Sequence, residues 1–266
     1  MSDIIDQQLL AGTEIIVRAA AEVLVRRFLR SARPADLAQL LAEIHENDDA
    51  TLSMLREALT SLRPSAGWID DEEEEGALPP GEWWLVDPVE GNVNHIHGMT
   101  EWGVTATLVR DDVPVLAVVH LPLSNDTYTA FAGGGAFFNG EPMNVSAKQQ
   151  LSAALVATGQ AKPHEDAETY RRIGASVTAM LQTSLLVRVS VPATLLLTEV
   201  AAGRMDVFWQ HSQVRAGLLA GALMVAEAGG IVTDTHGRPW TISSEDFLAS
   251  GPGLHAQAAA ILSSIN

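Results

Sequence analysis

The chain is 266 residues long, 47% apolar and free of cysteine, and it carries a formal net charge of −17. That charge argues against nucleic acid and anionic lipid as partners. The missing cysteines exclude disulfides and thiol chemistry, and no apolar run reaches the length of a membrane span. The length suits one large domain or two intimately packed halves. Met1 to Asp6 lack the basic start and apolar core of a signal peptide, so cytoplasm is the expected compartment.

Residues 4–29 read as one long helix, because Leu9, Ile16, Ala20, Leu24 and Phe28 recur at helical spacing. Ser31-Ala32-Arg33-Pro34 ends it. A second helix is expected over 49–62, with Leu52, Leu55, Leu59 and Leu62 on one face and Asp48 or Asp49 as its cap. An acidic run, Asp70 to Glu75, follows. The apolar Trp84-Leu85-Val86 reads as a strand that ends at Asp87. Pro88 comes next, and Gly91 permits a tight turn, so Asp87 and Glu90 can face one point together with the intervening carbonyls. Hard cations such as Mg²⁺ prefer oxygen ligands of this kind. Residues 103–121 read as a hairpin about Arg110-Asp111-Asp112. A strand over 127–131 follows, then a glycine-rich turn over 133–140. Beyond it strands and helices alternate: strands over 154–157, 186–190, 205–209 and 231–234, and helices over 165–181, 192–202, 216–228 and 254–262.

The segment Asp87-Pro88-Val89-Glu90-Gly91-Asn92-Val93-Asn94 resembles the Asp-Pro-Ile/Val-Asp-Gly-Thr-x-Asn signature of the inositol monophosphatase family. Gly133 to Gly140 is similar to the family's Gly-x-Gly-Ala-Phe-x-Asn-Gly turn, and Glu227-Ala228-Gly229-Gly230 to its Glu-Ala-Gly-Gly segment. The resemblance runs from about residue 68 to 249. It implies an α/β fold with an α+β first half, layered as an α-β-α-β-α sandwich. Residues 1–150 would form the half with the motif loop and 151–266 the α/β half, with the pocket between them in one compact unit. It also implies a homodimer.

The same resemblance implies two or three Mg²⁺ ions in the family's phosphatase chemistry, in which one metal activates water and another stabilises the leaving oxygen. Carried over by position, the metal ligands are Asp71, Asp87, the Val89 carbonyl and Glu90. The register of the acidic run leaves Asp70 and Glu72 as alternatives to Asp71. Counting back from Glu227 puts the helix aspartate of the second metal at Gly217, which has no carboxylate. The motif threonine is Asn92, and a glutamate that contacts substrate hydroxyls is Gln210. The expected catalytic groups are therefore Asp71, Asp87, Glu90, Asn92 and His211. The expected substrate contacts are Gly91, Asn92, Gln210, His211 and Arg215. His95, His211 and Arg215 are weighed as a new polar site, against the plain alternative that His211 and Arg215 lie on the surface.

Mg²⁺ is demanding about ligand count. The expectation is one weakened Mg²⁺ site or none, with slow or absent phosphomonoester hydrolysis. Three functions remain open: an enzyme rebuilt for non-hydrolytic acid–base chemistry on a small polar metabolite, a residual Mg²⁺-dependent phosphatase of a sugar, polyol or nucleotide phosphate, and a non-catalytic binding or regulatory protein.

Overall fold

The computed structural model describes residues 2–28, 33–69, 76–161, 165–212 and 214–265, with side chains from residue 7 onward. Helix α1 (Ser2–Phe28) and helix α2 (Leu37–Leu62) open the chain. The second helix starts well before the expected residue 49. Asp36 caps it, accepting a hydrogen bond from the Gln39 amide at 2.9 Å. The leucines, alanines and glutamates that follow are strong helix formers, so nothing stops the helix at Asp48.

The first sheet has seven strands in sequence order. Strand β1 (Gly67–Ile69) runs parallel to β2 (Glu82–Glu90), and the remaining pairs are antiparallel. They are β3 (Gly103–Arg110), β4 (Val113–Leu121), β5 (Asp126–Phe131), β6 (Gly135–Phe138) and β7 (Glu141–Pro142). Asp111 and Asp112 both adopt positive φ, the tight-hairpin geometry that the sequence announced. The glycine-rich stretch is more than a turn, since β6 lies inside it. The Glu227 carboxylate accepts the amides of Gly133 and Gly135 at 2.8 and 2.9 Å and holds the bend in place.

The second sheet is ordered β11-β12-β10-β8-β9. Its strands are β8 (Leu155–Thr158), β9 (Leu186–Val189), β10 (Val207–Gln210), β11 (Ile231–Thr233) and β12 (Phe247–Ser250). Strands β8, β9 and β10 are parallel, and β12 pairs antiparallel with both β10 and β11. Sequence patterning misses β12. All four of its residues are buried, so it shows no alternation to detect.

Between the sheets lie α5 (Ala193–Ala201) and α6 (Arg215–Glu227). Leu197 and Leu223 pack there against Val119 and Ala130 of the first sheet and Phe208 and Phe247 of the second. A Cβ at Gly221 would fall 2.3 Å from Leu197 Cβ, so glycine lets these helices approach closely. Helices α1 and α2 cover the outer face of the first sheet, through Val17, Leu24, Leu55 and Leu59. Helices α4 (Ala167–Thr183) and α7 (Pro252–Leu262) cover the outer face of the second. The layering is α-β-α-β-α.

Three imidazoles are locked inside these layers. His95 lies 3.1 Å from the Leu24 carbonyl, His120 2.8 Å from Thr127 Oγ1, and His255 between Thr233 Oγ1 and Ser250 Oγ at 2.9 and 3.0 Å. Burial pushes the pKa of each below its usual value. The unfolded chain, with imidazoles near pKa ~6.5, therefore binds more protons as the pH falls. The stability they contribute is complete above that pH and is lost as the pH drops through it towards the folded-state pKa values. The urea midpoint should be lower at pH 5.5 than at pH 7.5. An unchanged midpoint would contradict neutral, buried imidazoles.

Candidate functional site

Strand β2 carries the motif. Its register with β3 shifts between Asp87 and Glu90, where Pro88 has no amide to donate. In that irregularity the Asp87 carboxylate curls back to accept the Val89 amide at 3.0 Å. Gly91 has φ +80°, and a Cβ there would meet the Glu101 carbonyl at 2.8 Å and the Pro192 ring at 3.2 Å. The short helix α3 (Asn92–His97) follows. Asn94 donates to the carbonyls of Glu101 and Val191 at 2.8 and 3.0 Å, which fixes α3 against the approach to α5.

Asp87 opens on a cavity of about 230 Å³, whose walls include Asp48, Val89, Gly91, Asn92 and Val191. Glu90 does not line it. Its side chain is turned inward, 3% exposed, with Thr105 Oγ1 donating to it at 3.3 Å and Thr194 also in hydrogen-bond contact. Burial first, and the Asp87 charge second, push its pKa well above the usual carboxylate range. Thr194 donates to the Gly217 carbonyl at 2.8 Å. With that proton committed, the Glu90–Thr194 contact is a hydrogen bond when Glu90 carries its own proton. Gly217 thus stands across Thr194 from Glu90 and offers only backbone.

Asn92 is tied to α2. It donates to Asp48 Oδ1 at 2.9 Å and to the Ile44 carbonyl at 3.2 Å, and accepts from Asn47 at 2.9 Å. Asn47 also reaches His95 Nδ1, at 3.1 Å. Asp48 is a cavity carboxylate that sequence reasoning passed over as a helix cap. Once the helix is known to start at Asp36, its phase puts Ile44, Asn47 and Asp48 towards α3.

The other expected residues separate into three places. Asp71, with Asp70 and Glu72, falls outside the described residues. Gln210 ends β10 and is 1% exposed; it donates to the Gln160 carbonyl at 2.8 Å, while its Oε1 has no partner. Gly159 makes room for that amide, since a Cβ there would lie 2.4 Å from Oε1. Arg215 is buried rather than on the surface, and donates to the Gly76 carbonyl at 2.7 Å. His211 is also buried, with neither ring nitrogen partnered among the described residues. Burial, and then the Arg172 cation, bring its pKa down to about 4. His95 packs instead between Phe28 and Trp102. Among the described residues, Arg27 and Glu43 are the charges that act on His95, whereas Arg172, Asp246 and His236 act on His211, so the structure does not bring together the His95–His211–Arg215 grouping weighed above. His97 is exposed and bonds the Val93 carbonyl within its own helix.

A family model described as "Inositol monophosphatase family" matches residues 6–266. The chain belongs to the inositol monophosphatase family. Among its relatives in that family, the inositol-1-monophosphatase of Rhizobium meliloti is 34% identical over 195 residues, 73% of each chain. A putative Nus factor SuhB of Neisseria meningitidis serogroup B is 34% identical over 211 residues, 79% of this chain and 80% of that one. The solved inositol monophosphatase of Anabaena superposes with a TM-score of 0.81 at 25% identity, covering 98% of this chain and 97% of that one. Inositol monophosphatases belong to the Mg²⁺-dependent phosphatase superfamily, and the α-β-α-β-α layering described above is their fold.

Proposed function

We propose that this family member acts on a small polar metabolite in the cavity beside Asp87, with one cation position at most and without working two-metal phosphomonoesterase chemistry. The inward turn of Glu90, opposite a glycine at position 217, carries this reading. A divalent ion is held by oxygens that face it. Asp87 and the Val89 carbonyl are such oxygens, and an Mg²⁺ ion bound there would supply Lewis-acid polarisation. Among the described residues the donor set does not fit a second ion: Glu90 is spent on Thr105 and Thr194, and Gly217 brings no carboxylate. Among the described residues, Asp87, Glu90 and Asp48 do not form a converging three-ligand group. For acid–base work the cavity wall offers the carboxylates of Asp48 and Asp87. Gln210, buried at the end of β10, is not a wall of this cavity.

Calorimetric titration with Mg²⁺ tests this, with a phosphate-release screen on the same samples. One ion per chain is expected, lost in Asp87→Asn. Release should fall on the order of a hundredfold or more below a two-metal relative, because a missing Lewis acid costs several kcal/mol and about 1.4 kcal/mol is tenfold in rate. Two ions per chain with comparable release would overturn the reading.

A second reading, a non-catalytic binding protein, draws on the relative named as a putative Nus factor rather than by a substrate. It requires that Asp87→Asn leave the cellular role intact. Loss of that role in a folded Asp87→Asn chain would remove it.

A further inference from the structure

A cavity of about 460 Å³ lies between α4 and the loop that joins β11 to β12. Its walls include Arg172, Asp234, His236, Arg238, Glu245 and Asp246. None of these belongs to the motif loop. One ligand atom from each of Asp234, His236 and Asp246 lies within 4.8 Å of the other two. Three carboxylates face two guanidinium groups there, so the balance favours a cation over an anion.

The two aspartates are engaged but not saturated. Asp234 accepts the amides of His236 and Arg238, each at 2.9 Å, and Arg238 Nε at 2.5 Å. Asp246 accepts the Thr235 amide and hydroxyl, each at 2.7 Å, and Arg172 at 3.2 Å. A carboxylate presents about four lone-pair positions, so each keeps one. Arg238 is 75% exposed at its side chain and can swing out to solvent.

The independent observation is His211. It is 3% exposed, and neither of its ring nitrogens has a partner among the described residues. The charged and titratable groups that act on its ring are Arg172, Asp246 and His236, all three of them walls of this cavity. A buried imidazole without partners is costly, and such orphans in native folds point to a missing ion or water.

We propose that Asp234, His236 and Asp246 bind a divalent transition-metal cation of the Zn²⁺ or Mn²⁺ class whose coordination is completed by water, with the buried His211 as the imidazole that such a water reaches. Mixed carboxylate and imidazole ligands suit those ions better than Mg²⁺. His211 follows Gln210, whose backbone pairs with Phe247, and this register sets it beside Asp246.

The test uses the full chain, stripped with chelator, in an Asp87→Asn background that silences the motif loop. Zn²⁺ is titrated calorimetrically, and Co²⁺ is followed by visible absorption. One saturable Zn²⁺ per chain is expected, weakened at least about tenfold by His236→Ala and again by His211→Gln, with Co²⁺ showing a ligand-field band. His236 is exposed, so its variant keeps the test valid if the buried His211 variant does not fold. Absence of saturable binding, or Zn²⁺ binding indifferent to His236→Ala, overturns the proposal.

Discussion

A chain carrying Glu90→Asp, Asn92→Thr and Gly217→Asp together should gain Mg²⁺-dependent phosphate release, by about a hundredfold or more over the wild type. The scaffold has room for the change. Among the described residues, a Cβ at position 217 meets Val214 Cγ1 at 3.2 Å and Thr194 Oγ1 at 3.8 Å, and a valine methyl can give by a few tenths of an ångström. Position 217 lies in the first turn of α6, where a carboxylate complements the helix dipole and glycine is a poor helix former. The shorter aspartate at 90 cannot reach as far towards Thr105 and Thr194, so its carboxylate falls back towards Asp87. Threonine at 92 restores a hydroxyl beside Asp87, at the expense of the bonds from Asn92 to α2. The effect should not be additive. Gly217→Asp alone adds a carboxylate beside an already buried Glu90, and should destabilise the chain with little gain in rate. Phosphate release on a panel of sugar and polyol phosphates, with and without Mg²⁺, decides it. A folded triple variant no faster than the wild type would mean that the missing chemistry lies elsewhere.

Glu90→Gln should stabilise the chelated protein at pH 8, by about 1–3 kcal/mol, the cost of an imperfectly compensated buried polar or charged group. Glutamine has nearly the same shape and can keep bonds to Thr105 and Thr194 without bringing a second negative charge close to Asp87. The pH dependence has a fixed sign. The folded-state pKa of Glu90 is raised, so the folded chain holds its proton more tightly than the unfolded one. Its contribution to stability is complete below the unfolded pKa of ~4.3 and is lost as the pH rises. The advantage of glutamine should therefore vanish near pH 4 and grow upward, opposite in slope to the buried imidazoles. Urea unfolding of both chains at pH 4.5 and pH 8 measures this. A glutamine variant less stable at pH 8 would show that the carboxylate is compensated by something other than the two threonines.

Much of the fold was legible because local chemistry and tertiary need agree. The leucine spacing of α2, the Asp111-Asp112 turn and the terminating Gly229-Gly230 each state their role within a few residues. The failures have physical causes. The start of α2 was misplaced because Asp48 and Asp49 are as good as caps as Asp36, and only packing tells them apart. Strand β12 is buried on both faces and so has no period. At the site, the sequence located Asp87, Glu90 and Gly217, but not the direction of Glu90. Whether that carboxylate faces the cavity or the interior depends on Thr105 and Thr194, which are distant along the chain. Asp48 was passed over for the same reason, because its neighbours Asp87 and Asn92 are distant along the chain and meet it only after folding.

The helices α5 and α6 form one floor for two sheets. Leu197 and Leu223 cannot leave Phe208 and Phe247 without also leaving Val119 and Ala130. Heat should therefore find no weaker half to melt first, and calorimetry should record one cooperative peak. Any ligand that grips either face of the molecule then raises the same transition. A thermal shift can therefore screen unknown metabolites and metals on the intact chain, before anyone knows which of its cavities they enter.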